Sequence, residues 1–284
     1  MSLLRHVEYC NRFRAERFRP LWMGEQRIGF IRHDIARHLA AFPETFAVAD
    51  EAVRLVATGS FDEISAAVDR VAEHLVADGI VAKWRNECFA VAPIWGEPPL
   101  FKVDRGAVPV FGIRAHGVHL NGFRRDRKGG VWLWVGRRAP DKKVAPDKLD
   151  NLVAGGIGYP HGILDTLEKE ADEEAGMPAA LAARATPQGH VAYRMEWEPG
   201  ARDDVLYLYD LETPADFVPR NRDGEIVEYD LMEAREVLER VRETDDFKFN
   251  VNLVIIDFAL RHGLVAHTEP DYDALIAGLR REPD

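Results

Sequence analysis

Two textures of hydrophobic and polar positions divide the chain. Between residues 2 and 59 the apolar positions are scattered among charges, with short helical stretches such as HDIARHLAAF. SFDEISAAVDRVAEHLVADG is more regular: Ile64, Val68, Val71 and Leu75 recur at helical spacing and form one face. Ser60 stands as an N-cap with Glu63 three residues on, and Gly79 supplies a stop. KWRNECFAVAPIW then reads as a strand, broken by GEPP. From about residue 107 the spacing shifts toward period two. VPVFGIRAHGVHLNGFRR and VWLWVGRRA read as strands joined by the turn-rich DRKGG, DVLYLYDLE alternates as a strand does, and IVEYDLM is a further candidate. EAREVLERVRE and NVNLVIIDFALRHG read as helices, with a last one in DYDALIAGLRRE. Strands and helices mix without a regular βαβ alternation, so the pattern predicts an α+β fold or an α/β sandwich rather than a doubly wound sheet. The change of texture places a boundary near 100–107, with an accessory α+β domain over 1–106 and a second domain over 107–284.

Composition narrows the function classes. The chain has 284 residues, 46% hydrophobic and 30% charged, with a formal charge of −11. That balance disfavours nucleic acid as a partner, because non-specific binding needs a basic surface. A small anionic substrate stays compatible, since a site can be locally basic or bring its own cations. No run of apolar residues is long enough to predict a membrane span. The first residues, MSLLRHVEYCNRFRAERF, are broken by charges and lack the apolar centre of a signal peptide. Cys10 and Cys88 are the only cysteines, which predicts no disulfide framework and a reducing, cytoplasmic setting.

One segment repels itself. Residues 164–175, LDTLEKEADEEA, read as a helix dense in carboxylates with a single lysine. At about 100° per residue, Leu164, Leu167, Ala171 and Ala175 form a buried stripe, and Asp165, Glu168 and Asp172 lie opposite it as a solvated face. Glu170, Glu173 and Glu174 instead crowd the edge of the stripe, spaced i, i+3 and i+4. A hard divalent cation, Mg²⁺ or Mn²⁺, would relieve that repulsion, although a merely acidic surface would look similar.

The surroundings of the helix resemble the Nudix box. A glycine-rich loop, AGGIGYPHG, precedes it and Gly176 closes it. Gly155 takes the first position of the box, and Lys169, Glu170, Ala171, Asp172, Glu173, Glu174, Ala175, Gly176 and Met177 fill its end in register. Two positions depart: His161 stands where the family has its first Glu, and Lys169 where it has Arg, which keeps the charge but loses the planar fork. The stretches RRAPDKKVAPDKLDNLVAGG, DGEIVEYDLM and FKFNVNLVIIDFALRHGLV are similar to a two-domain Nudix subgroup related to the Nudix segment of fungal thiamine pyrophosphokinase. WRNECFAVAPIW and VPVFGIRAHGVHLNGF extend the resemblance upstream.

The resemblance implies a Nudix αβα sandwich that hydrolyses a diphosphate linkage in a small molecule, and for this subgroup thiamine diphosphate or its damaged analogues. Glu173 and Glu174 are the expected metal ligands, with Glu170 either a third ligand or the group that orients water, and the carbonyl near Gly155 or Gly156 completing the shell. Glu228, or Glu225, would supply a further acid, and each could equally be an exposed strand-edge carboxylate. Arg137, Arg138, Lys142 and Lys143 could hold the diphosphate or form a solvated loop. His116 and His119 fall on opposite strand faces and read as structural, Trp132 and Trp134 as core, and Tyr159 as an exposed stacking candidate. A homodimer is also open. Two rivals share the fold: a non-catalytic ligand sensor, and an isopentenyl diphosphate isomerase, which would need a cysteine in the Nudix half where this chain has none. P-loop, Rossmann, GxSxG and HExxH patterns are missing.

Overall fold

The computed structural model describes residues 1–92 and 94–280. Pro93, inside the predicted KWRNECFAVAPIW strand, and the Arg281–Glu282 end of the last predicted helix lie outside the described residues. The chain opens with helix α1 (Leu4–Cys10). A hairpin of β1 (Phe18–Met23) and β2 (Gln26–Arg32) leads to α2 (His33–Leu39), β3 (Phe46–Val48) and β4 (Val53–Leu55). These strands form a sheet in the order β2-β1-β4-β3. Helix α3 (Phe61–Ala77) joins the same hydrophobic core. Its capping box is formed: Ser60 Oγ accepts from the Glu63 N–H at 3.3 Å, and Glu63 Oε2 accepts from the Ser60 N–H at 2.7 Å. Ile64, Val68, Val71 and Leu75 are all buried.

Strand β5 (Cys88–Val91) pairs with β6 (Phe101–Asp104) in a small separate ribbon. The strand predicted over 83–95 is therefore shorter. Asn86 adopts φ 57°, and the Arg85 N–H is taken by the Asp104 carboxylate at 3.0 Å, so the backbone turns just before Cys88. VPVF forms the helical turn α4 (Val108–Phe111), not the start of a strand. Pro109 lacks the N–H that a ladder would need.

The second region holds β7 (Arg114–Arg125), β8 (Val131–Arg138), β9 (Leu149–Asp150), β10 (Val153–Gly156), α5 (Ile163–Ala175), α6 (Ala179–Ala182), β11 (Thr186–Trp197), β12 (Gly200–Glu212), β13 (Ile226–Glu233), α7 (Ala234–Glu243), α8 (Val251–Arg261) and α9 (Tyr272–Leu279). The sheet runs β11-β12-β7-β8-β13, with β10 on β7 and β9 on β8. Strands β7 and β12 are parallel; the other pairs are antiparallel. Strand β11 is not legible beforehand. It is an edge strand, it begins with Pro187 and a bulge, and its apolar positions come only after His190.

Helix α5 lies on one face of this sheet, packing Leu167 and Ala171 with Val118, Leu120 and Val153. Helices α7, α8 and α9 lie on the other, around Phe123, Leu133, Leu206 and Leu208. This is the α+β, αβα sandwich that the sequence implied. The division at 106/107 does not follow the packing. Val108, Val110 and Phe111 of α4 belong to the N-terminal core, whereas Leu3, Val7 and Cys10 belong to the core beneath α8 and α9. Full burial of a large apolar side chain contributes about 1.5–3 kcal/mol, so α1 is an integral part of the second core.

Candidate active site

Helix α5 is set by its ends. Asp165 Oδ2 accepts from the Gly162 N–H at 3.0 Å and places a negative charge in the first turn, where the helix dipole favours it. Gly176, at φ 59°, takes the left-handed turn that stops the helix. Leu167, Ala171 and Ala175 are buried as the spacing predicts. Leu164 is not: it is 66% exposed in the first turn, and Thr166 takes a buried place instead. Asp165, Glu168 and Asp172 are exposed, as expected of the solvated face.

The three remaining carboxylates occupy different environments. Glu174 is only 3% exposed, and its Oε2 accepts from the Ala154 N–H at 2.8 Å. Burial pushes its carboxyl well above the usual range; Asp150, Glu170 and Glu225 act in the same direction, and the Ala154 N–H and the Lys248 charge oppose them. Glu170 lies flat on strand β10. A Cβ on Gly155 would stand 2.5 Å from Glu170 Cδ and 2.8 Å from its Oε1, so only glycine fits. Burial also raises Glu170, with Lys169 pulling the other way and Glu173 and Glu225 adding to the rise. Glu173 is the most accessible of the three. Lys169 Nζ bridges it at 2.5 Å, an i, i+4 pair, and Glu170 at 3.2 Å.

A fourth carboxylate comes from the turn before β13, and it is Glu225 rather than Glu228. Glu225 acts electrostatically on both Glu170 and Glu174, and it pairs with Lys142 at 2.5 Å. Glu228 reaches across from β13 to Arg137 Nε of β8 at 2.5 Å.

The basic run separates in the same way. Arg138 is buried and spends its donors on Asp150 Oδ2 at 2.7 Å and on the carbonyls of Ala145 and Val144, both at 3.1 Å. It holds the 144–150 loop and has no fork left for a phosphate, which corrects the substrate-binding role expected of it. Arg137 is shared between Glu228 and the Asp147 carbonyl. Lys142 stands beside the carboxylates through Glu225, and Lys143 is exposed.

Two site residues lie outside any motif, Asp150 and Lys248. Lys248 Nζ is 3.5 Å from Asp150 Oδ2, and its charge reaches Glu174. Burial lowers Lys248, while Lys248 and Arg138 together hold the buried Asp150 below its ordinary value against its own desolvation. Only proximity in the fold could have disclosed this pair. His116 and His119 are buried, and burial lowers both to about 4, so they are neutral structural groups as expected. Trp134 is core, Trp132 stands at the rim, and Tyr159 is 39% exposed in the glycine loop. A cavity of about 440 Å³ opens at the far end of β7 and β12, lined by residues including Phe123, Asp210, Arg261 and His262, away from this ridge.

Among the described residues, no three His, Cys, Asp or Glu side chains already stand as a closed metal cage. The chemistry of the donors nevertheless suits a hard dication. Glu170, Glu173, Glu174 and the Gly155 carbonyl offer oxygen only, and the four carboxylates beside one another, with Glu225, have Lys169 and Lys142 as their paired cations. Carboxylates in excess on a helix, laid over a glycine strand in an αβα sandwich, are the arrangement that the likeness to the Nudix box implies, and with it the class of diphosphate hydrolases.

Comparison with known proteins narrows this. Residues 2–115 match a family described as a domain of unknown function (DUF4743). The chain is 38% identical to Nudix hydrolase 24, chloroplastic, of Arabidopsis thaliana, across 98% of this chain and 78% of that protein. It is 37% identical to Nudix hydrolase 20, chloroplastic, of the same plant, across 96% of this chain and 76% of that protein. An uncharacterized protein of Saccharomyces cerevisiae, YJR142W, is 32% identical across 84% of this chain and 75% of its own length. The chain belongs to the Nudix hydrolase family. It is accordingly an enzyme, a Nudix-type diphosphate hydrolase, and the sensor reading falls away.

Proposed function

We propose that the enzyme is a Mg²⁺-dependent hydrolase, or one served by Mn²⁺, that converts thiamine diphosphate or its oxidised and damaged analogues to the monophosphate plus phosphate. The observation that carries the metal part is Glu174: a carboxyl buried beside Asp150, Glu170 and Glu225, with one backbone N–H as its hydrogen-bond donor. Such a group calls for a cation. The thiamine part rests on the likeness of DGEIVEYDLM and FKFNVNLVIIDFALRHGLV to the thiamine-linked Nudix subgroup.

Glu170, Glu173, Glu174 and the Gly155 carbonyl would hold the ion. When bound, a divalent cation there neutralises phosphate charge and makes water more acidic. The chain's own residues do the rest. Lys142 and Lys143 would hold the phosphates, Lys142 by leaving Glu225. Glu225 then has a free carboxylate to orient water and take its proton. Water attacks phosphorus, the anhydride P–O bond breaks, and the leaving oxygen departs as phosphate. Among the described residues, no serine or cysteine nucleophile stands at the ridge, so a covalent intermediate is not expected.

Two measurements test this. Turnover in ¹⁸O-water should place the label on a phosphate product and never on organic carbon. A substrate screen with Mg²⁺ present should find thiamine-type diphosphates among the best. If nucleoside diphosphate sugars or dinucleotides turn over far faster, the thiamine assignment is wrong and the general hydrolase remains.

A further inference from the structure

The glycine loop before α5 is held from outside the second region. Successive residues of β10 face opposite sides of the strand. Gly155 faces Glu170, and Gly156 faces Phe89 of β5, where an added Cβ would stand 2.7 Å from Phe89 Cζ. Three residues on, the Cys88 carbonyl accepts from the Tyr159 N–H at 2.8 Å. An added Cβ on Gly158 would touch Glu87 Oε1 at 3.4 Å and the Cys88 carbonyl at 3.7 Å. The Tyr159 ring lies on Phe61 of α3, centroids 5.3 Å apart, with Lys102 Nζ 5.5 Å from the ring centroid. A Gly-Gly strand has no side chains with which to pack itself and is intrinsically loose. Among the described residues strand β10 pairs with β7 alone, so its second wall is the β5 ribbon.

We propose that the N-terminal region is a working part of the catalytic site, with Phe89 as a positioning residue that fixes β10 beneath Glu170 and Cys88 as the anchor of the loop that follows. This gives the domain of unknown function a role: it is a buttress for the metal strand, not a detachable recognition module. The proposal rests on reading the carboxylate ridge as a metal site, but the positioning itself can be measured without metal.

Amide hydrogen exchange of the full chain, without divalent ions, reads the loop directly. In Phe89→Ala, exchange across 155–159 should quicken about tenfold or more while protection in α8 stays unchanged. With Mg²⁺ added, the concentration for half-maximal activity should rise about tenfold, in the range seen for groups that orient metal ligands, and KM should move less than about twofold. Phe89→Leu should recover most of both. Gly156→Ala should reproduce the defect by collision, and Gly156→Ala with Phe89→Ala should recover, because the new methyl group fills the vacated space. Unchanged loop exchange in Phe89→Ala overturns the proposal, as does a double variant as impaired as the sum of the singles. If Phe89→Ala does not fold, Phe89→Leu and the Gly156 pair decide by the same readings. A wild type that ignores divalent ions while Phe89→Ala still loosens the loop removes the metal reading and keeps the positioning role.

Discussion

The central sheet buries a group of carboxylates on each face, and the two groups are built on opposite plans. Beneath α8, Asp210 accepts from Asn121 at 3.0 Å, from Arg261 at 3.1 Å and from His262 at 3.3 Å. Asp257 accepts from Arg261 at 2.7 Å and Arg280 at 2.5 Å. Burial alone would raise Asp210, yet its bonds to His262 and Arg261 bring it below the ordinary value; Asp257, where burial dominates, stays above. Beneath α5, no guanidinium among the described residues hydrogen-bonds Glu174, whose donor is the Ala154 N–H. Burial and the carboxylates Asp150, Glu170 and Glu225 raise its carboxyl well above the ordinary value, against the Ala154 N–H and the Lys248 charge. Equal burial therefore carries different meanings. Where each charge meets its counter-charge, the cluster joins elements; where carboxylates outnumber the cations beside them, as beneath α5, negative charge is left in excess.

The comparison can be broken most sharply at Glu174. Glu174→Gln should lower kcat about 10³-fold or more, as expected when several kcal/mol of metal-borne charge stabilisation is lost. Its melting temperature in EDTA should equal or exceed that of the wild type, because the substitution removes an uncompensated acid. The pH dependence follows from the sign of the shift. A carboxyl raised in the folded state contributes stability that is complete below its unfolded value, about 4.3, and that is lost as pH rises through the folded value. The metal-free wild type should thus lose stability with rising pH above about 4.3, and Glu174→Gln should flatten that loss. A steeper loss in the variant would reverse the argument.

On the other face, Arg261→Met leaves Asp210 and Asp257 short of their shared cation. It should cost about 3–5 kcal/mol by denaturant unfolding, the usual penalty for breaking a buried pair, with kcat per folded molecule unchanged. A stability loss below about 1 kcal/mol, the scale of an exposed pair, would mean that this cluster is not the joint described here.

A smaller effect is expected at the strand. Gly155→Ala drives a methyl group into Glu170, an overpacking that costs about 1–3 kcal/mol and should weaken metal-dependent activity more than it lowers the melting temperature. Smallest of all is the contrast between the two acids near β13. Glu225→Gln should reduce kcat about tenfold or more, within the range for a general base. Glu228→Gln loses only an exposed pair with Arg137, worth at most about 1 kcal/mol, and should leave kcat within about twofold. The reverse order would return the role to Glu228.

What the sequence made legible follows from how local each feature is. Glu170, Glu173, Glu174 and Gly155 lie in one loop and helix, so spacing alone could bring them together. The sandwich followed from strands that alternate cleanly, such as 204–212, and from the box between them. Glu225, Asp150 and Lys248 join the site through the return of distant segments, which periodicity does not encode. Choosing between Glu225 and Glu228 needed the register of β13 on β8, where Glu228 meets Arg137. Arg138 looked like a substrate ligand because exposure cannot be read from a run of basic residues. Strand β11 hid because an edge strand needs fewer apolar positions.

Helix α1 gives the molecule an unusual connectivity. Leu3, Val7 and Cys10 are packed with α8 and α9, His6 Nε2 bonds the Val241 carbonyl at 2.7 Å, and the sheet of β1–β4 lies between them in the chain. Genetic recombination that cut between the two regions would carry α1 away with the wrong partner and open the second core. The N-terminal region and the Nudix region are therefore bound to be inherited together. On a ribosome helix α1 also has to wait, its apolar face uncovered, until α8 and α9 have emerged.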